Sequence, residues 1–158
     1  TRDLSAETRA QIVNGGYWLE PPSPGAELAI VASGPVITEA VEAHQQIVED
    51  IPGAGLLVVT SPGRLQDDWI EGVNNGRSER AHVRRLLAPL SPDAGLVTIL
   101  DGHPSTLAWF GSVARHRVAP LGVSRFGQSG DVQDLYRAYA LDVDAIVTAA
   151  ARLCVETA

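Results

Sequence analysis

Asp101-Gly102-His103 sets a carboxylate close to an imidazole, directly after the apolar run Leu96-Val97-Thr98-Ile99-Leu100. An acid beside a histidine can orient the ring and tune its basicity, the arrangement on which general acid–base catalysis draws. Asp101 and His103 are therefore the catalytic-looking pair of this chain. No nucleophile accompanies them, and a hydrogen-bonded loop or an interface role is the simpler account of both.

A second group of residues could hold an anion. Ser33-Gly34-Pro35, Ser105-Thr106 and Ser129-Gly130 each stand at the start of a predicted helix, where backbone amides point outward and the helix dipole favours negative charge. The same residue types cap helices in most proteins built this way, so capping competes with binding as the explanation. None of these turns carries a nucleotide fingerprint. Ser33-Gly34-Pro35 has one glycine where a dinucleotide turn needs three at fixed spacing, and no Gly-Lys-Ser follows any strand.

Composition removes further classes of chemistry. All 12 basic residues are arginine, so lysine Schiff bases and lysine-dependent phosphate loops are excluded. A net charge of -7 opposes non-specific binding to nucleic acid, which needs a positive field. The 4 histidines and single cysteine show no metal-ligand spacing, so no metal is expected. Cys154 cannot form an internal disulfide and reads as a small helix-face residue of a reducing, cytoplasmic compartment. His44 falls on the apolar stripe of a predicted helix and reads as a satisfied half-core residue. His82 and His116 lie among arginines and are expected to be exposed.

The apolar runs are strand-length, far short of the roughly 20 residues that span a bilayer, so no membrane segment is expected. No signal peptide is expected, since no charged segment followed by an apolar run stands at the start of this sequence. The absence of methionine suggests a processed protein or an excised piece.

Positioning these residues falls to elements that alternate along the chain. Residues 1–25 read as a lead-in or linker segment, because Pro21-Pro22-Ser23-Pro24-Gly25 excludes regular helix and central strand. Tyr17 and Trp18 within it need an apolar surface, of this chain or of a partner. Residues 26–158 form the domain. Strands are predicted at 28–32, 56–60, 96–100 and 118–123, the last near the sheet edge because of Pro120. Helices are predicted at 36–51, 65–73, 78–87 with Ser78 as cap, 106–114, 131–139 and 143–155, the last capped by Asp142. Alternation of this kind implies an α/β fold: an open, mostly parallel twisted sheet of about five strands with helices on both faces. In such sheets ligands sit beyond the carboxyl ends of the strands, where the loops above gather.

One stretch carries an identity beyond fold class. Leu121-Gly122, Phe126-Gly127-Gln128-Ser129, Leu135 and Asp142, preceded by Asp101 and by Glu27-Leu28-Ala29-Ile30-Val31-Ala32-Ser33-Gly34, resemble the C-terminal domain of transketolase-like thiamine diphosphate enzymes. The likeness is nearest to the homodimeric pyruvate dehydrogenase E1 component, and Gly15-Gly16-Tyr17 is similar to the portion by which E1 chains lead into this domain. It departs from the family in having Asp101 where glutamate is common, and residues 67–85 match none of its pattern.

The resemblance implies a domain that supports dimerisation and in some E1 proteins helps dock the lipoyl-bearing acyltransferase, E2. It implies a parent homodimer that uses thiamine diphosphate and Mg²⁺ on a 2-oxo acid, or, in the transketolase branch, on sugar phosphates. The cofactor lies in other domains of that family, and the Gly-Asp-Gly…Asn-Asn motif that holds it is missing here. No cofactor and no catalytic residue are therefore expected in this chain. Tyr17, Trp18, Trp109 and Phe126 become the interface candidates. The alternative is a stand-alone α/β small-molecule-binding or regulatory module.

Overall fold

A computed structural model of the chain describes residues 4–125 and 129–156. Four strands run parallel: β2 (Ala26–Ser33), β3 (Gly55–Val59), β4 (Leu90–Leu100) and β5 (Arg117–Leu121). A fifth, β1 (Gly16–Glu20), lies antiparallel on β3, and the sheet order is β1-β3-β2-β4-β5. The α/β architecture is the expected one, an open sheet with helices on both faces.

The central strands are apolar without alternation because each face meets its own helical layer. Along β2, Leu28, Ile30 and Ala32 enter one core and Ala29 and Val31 the other. The first core joins β2 and β4 to α2 (Ile37–Asp50) and α8 (Val143–Val155) through Ala40, Ala43, Ile47, Ile146 and Leu153. The second collects Leu65 of α3 (Pro62–Asn74), Val83 and Leu86 of α4 (His82–Leu87), Leu107 of α5 (Ser105–Ala108) and Val113 of α6 (Gly111–Ala114). The helix α7 (Val132–Ala138) leads into α8, and Asp131 and Asp142 cap the two by accepting from the amides of Asp134 and Ala145, each at 3.0 Å. No helix among the described residues is long and apolar enough to cross a membrane.

Three elements differ from expectation. The segment read as a lead-in folds as α1 (Ala6–Val13) and β1. The proline pair begins only after β1 has ended at Glu20, so it limits the strand without preventing it. Trp18 of β1 packs on the second core and donates from Nε1 to the Leu86 carbonyl at 3.0 Å. A Cβ on Gly55 of β3 would stand 2.6 Å from the Trp18 ring, so the indole needs glycine opposite it.

The helix expected at 78–87 is a 3₁₀ turn (Ser78–Arg80) followed by α4, with Ala81 extended between them. The His82 amide donates to Oδ2 of Asp68 at 2.6 Å, so a carboxylate from α3 takes the capping role expected of Ser78. The helix expected at 106–114 is split into α5 and α6. A Cβ on Gly111 would come within 2.8 Å of Val118 and 2.9 Å of the His116 carbonyl, so the backbone there lies directly on the chain entering β5.

His82 and His116, expected to be exposed, are buried. The ring Nε2 of His82 lies 2.8 Å from the Gly16 carbonyl, tying α4 to β1. Among the neighbouring arginines Arg80 and Arg115 are exposed and Arg84 and Arg117 half-buried, while both histidines are buried. His44 is the satisfied half-core residue its position predicted, with Nε2 2.8 Å from the Ala54 carbonyl.

Candidate functional site

The connection after β2 leads to β3 on one side of the sheet, and β4 lies on the other. The loops after β2 and β4 therefore part at a topological switch point, where open α/β sheets form their cleft. Gly34 follows β2 at φ 83°, and a Cβ there would sit 2.6 Å from Oδ1 of Asp101. The Asp101 carboxylate thus rests against the turn that opens α2. Residues distant in sequence, Ser33-Gly34 and Asp101, meet at one point.

Two further side chains join them. Burial, then the charge of Glu39, then that of Asp101 push the Tyr136 phenol above its usual range. Glu39 lies in the first turn of α2, and its Oε2 is buried without a hydrogen-bond partner among the described residues. Glu39 and Tyr136 escaped the sequence reading. The signal available for Glu39 was its place in the first turn after the switch-point glycine; for Tyr136 there was none, because α7 is brought to the cleft only by the tertiary fold.

The expected Asp101–His103 pair does not form. His103 Nδ1 accepts from the Ser105 amide at 3.2 Å and lies 2.7 Å from Ser105 Oγ, and all three residues Asp101, His103 and Ser105 are exposed. Since Nδ1 accepts from an amide, the neutral ring carries its proton on Nε2. This is a local turn with the acid turned away.

The anion candidates have prior commitments. Ser33 Oγ donates to the Val59 carbonyl at 2.9 Å, stitching β2 to β3. The Ser105 amide is taken by His103 Nδ1 and the Thr106 amide by the His103 carbonyl at 3.0 Å. Ser129 and Gly130 are exposed ahead of Asp131. With Asp101 and Glu39 at the head of α2, a phosphate there would meet two carboxylates, and like charges at short range oppose its binding.

A cavity of about 580 Å³ lies elsewhere, lined by Arg64, Asp68, Glu71, His82 and Arg85 among others. It borders α3 and α4, and its walls set the arginines Arg64 and Arg85 against the acids Asp67, Asp68 and Glu71. Of the interface candidates, Tyr17, Trp18 and Trp109 are each half-buried. Trp109 packs on the second core, meets Phe110 at 4.7 Å with the rings tilted by 47° and donates to the Thr106 carbonyl at 3.0 Å. Phe126 lies outside the described residues.

Thiamine diphosphate with Mg²⁺ does not fit this donor set. The cleft offers carboxylates where the diphosphate needs amides and cations, and no group of acids, histidines or cysteines among the described residues is arranged to hold a metal ion.

Fold and cleft define the class: an open α/β domain with one antiparallel edge strand and a switch-point cleft lined by acids. Solved transketolases contain this fold. The transketolase of Leishmania mexicana shares 19% identity at a TM-score of 0.64, over 97% of this chain and 20% of that one. The transketolase of Campylobacter jejuni shares 20% at 0.60, over 85% of this chain and 18% of that one. A split-gene transketolase, solved as an inactive β4 tetramer, shares 20% at 0.58, over 89% of this chain and 42% of that one. This chain spans less than half the length of each of these proteins. No protein-family model and no curated protein sequence matches it.

Proposed function

We propose that this chain is the C-terminal assembly domain of a transketolase-like thiamine diphosphate enzyme, of the 2-oxo acid dehydrogenase E1 type or of the transketolase type. Its role in that reading is to support a homodimer and, in an E1 parent, to offer a surface to the lipoyl acyltransferase. The chemistry belongs to the remainder of such an enzyme. The observation that carries the reading is the sheet itself. Its order β1-β3-β2-β4-β5, with antiparallel β1, places a fold shared with transketolases over nearly the whole of this chain and only a fifth of most of theirs.

The cleft agrees with a supporting role, since its acids repel the cofactor's diphosphate. Titration calorimetry of the chain with thiamine diphosphate and Mg²⁺ tests this. The expected result is no heat of binding, and Mg²⁺-dependent micromolar binding would overturn it. Sedimentation of the same sample reads the assembly role: a dimer at micromolar concentration supports it, and a strict monomer at millimolar concentration opposes it.

A stand-alone small-molecule-binding module is the second reading. It is favoured by the convergence of Asp101, Glu39 and Tyr136 from three separate elements on one cleft. Thermal-shift measurements with inorganic phosphate and with small organic amines separate the two readings. Stabilisation by amines that is lost in Asp101→Asn supports the module, and indifference to both probes leaves the assembly reading.

A further inference from the structure

His116 is 6% exposed, and neither of its ring nitrogens has a hydrogen-bond partner among the described residues. It sits where α6 turns into β5, directly after Arg115, a non-glycine residue held at φ 62°. Beside it opens a cavity of about 350 Å³, walled by Arg84, Arg85, Leu87, Leu90 and Pro92 among others. A buried neutral imidazole without partners is tolerable as an apolar ring. A buried imidazolium, with only the Ala94 carbonyl near enough to accept from it, is costly.

The charges around it do not repair that cost. Arg84 of α4 opposes a proton on the ring, while Asp93 of β4 and the Ala94 carbonyl favour it. Glu79 and Arg85 line the same cavity, with Glu79 already paired to Arg84 at 3.1 Å. Arg117, next along the chain, is held away by the Leu153 and Asp93 carbonyls and faces Glu156, just past the end of α8, at 4.0 Å. Burial outweighs the charges that favour the proton and keeps His116 below its ordinary range.

Within residues 111–116 the corner is held by Val113, which is buried in the second core, and by the close approach of Gly111 to Val118. The helices α5 and α6 are four residues each, too short to persist alone. Arg115 adds left-handed backbone. A side-chain hydrogen bond from Arg84 Nη1 to the Val113 carbonyl at 3.1 Å ties α6 to α4. Beyond it, β5 is an edge strand pinned at Arg117.

We propose that His116 is an acid-sensitive latch: the neutral ring closes the corner between α4, α6, β4 and β5, and its protonation opens residues 111–116, with Arg117 as the hinge. Nothing is lost from the parallel ladder in the opening, since β5 pairs with β4 from Arg117 onward. The cavity beside the ring gives the charged imidazole a route to water.

Amide hydrogen exchange of the whole chain, corrected for the intrinsic pH dependence, tests the latch. Protection of residues 111–116 should fall as pH drops below 6.5, by up to tenfold per pH unit for one proton, while β2 and β3 stay protected. In H116L that local pH dependence should vanish. Equal dependence in both proteins, or none in either, overturns the proposal. If H116L does not fold, proton NMR of the His116 ring decides: a midpoint below 6.5 that coincides with the loss of protection supports the latch, and a midpoint at or above 6.5 removes it.

Discussion

Gly34 occupies a left-handed conformation, φ 83°, that side chains disfavour, and it does so against the Asp101 carboxylate. Gly34→Ala should therefore cost about 1–3 kcal/mol in urea denaturation, from the backbone and from the collision together. The two contributions separate in a double mutant. With Asp101→Ala the collision disappears and about 1 kcal/mol should remain; an identical cost in both backgrounds would show that the carboxylate does not press on the turn. Tyr136 gives the cleft a spectroscopic handle. Its phenol is held protonated beyond the usual range by burial, Glu39 and Asp101, in that order. Ultraviolet titration against Tyr136→Phe should assign it a midpoint above 10, and Glu39→Gln or Asp101→Asn should lower that midpoint. The sign for stability follows. Above pH 10 the folded chain keeps a proton that the unfolded chain has released, so this residue makes stability fall as pH rises through that range.

At the scale of elements, β1 is the test of how the sheet is finished. Trp18 covers the second core, lies over Gly55 and donates to Leu86, so it couples β1 both to β3 and to α4. Trp18→Ala should destabilise by about 2–4 kcal/mol, a little under the roughly 3–5 kcal/mol for a fully buried aromatic because Trp18 is half-buried. Trp18→Phe should recover part of that by restoring ring contact without the hydrogen bond. Loss of less than about 0.5 kcal/mol in Trp18→Ala would mean that β1 is a loose appendage. The same strand shows where sequence is silent. The strands β2 and β3, the helix α2 and the capped helices α7 and α8 were legible because apolar period and cap chemistry are local signals. The strand β1 was not, since an edge strand beside a proline pair has too little buried surface to impose a pattern. The breaks near Ala81 and Gly111 were hidden for another reason: Asp68 and the chain entering β5 impose them from elsewhere in the fold. Of the cleft, Asp101 and Gly34 stood out singly, but their contact, and the arrival of Glu39 and Tyr136, depend on crossovers that no local signal encodes.

Across the whole molecule, the two cores share the strands that separate them. Alternate residues of β2 face opposite layers, so neither layer can dissolve without stripping one side of the sheet. A chain of 158 residues with this arrangement should unfold as one unit. Its aromatic residues make the expectation measurable. Trp18, Trp69 and Trp109 all pack on the second core, whereas Tyr136 and Tyr139 pack on the first. Tryptophan fluorescence therefore reports one layer, and far-ultraviolet circular dichroism reports the helices of both. Above pH 7, where the His116 corner is closed, the two urea curves should superimpose. Calorimetry should give a heat-capacity change of about 2 kcal/mol/K, from about 12–15 cal/mol/K per residue. A fluorescence midpoint below the dichroism midpoint would show that the layer of α3 to α6 melts first. That outcome would place β1 and the His116 corner in a separate, weaker unit, and the sheet would then be a boundary between two layers of different stability.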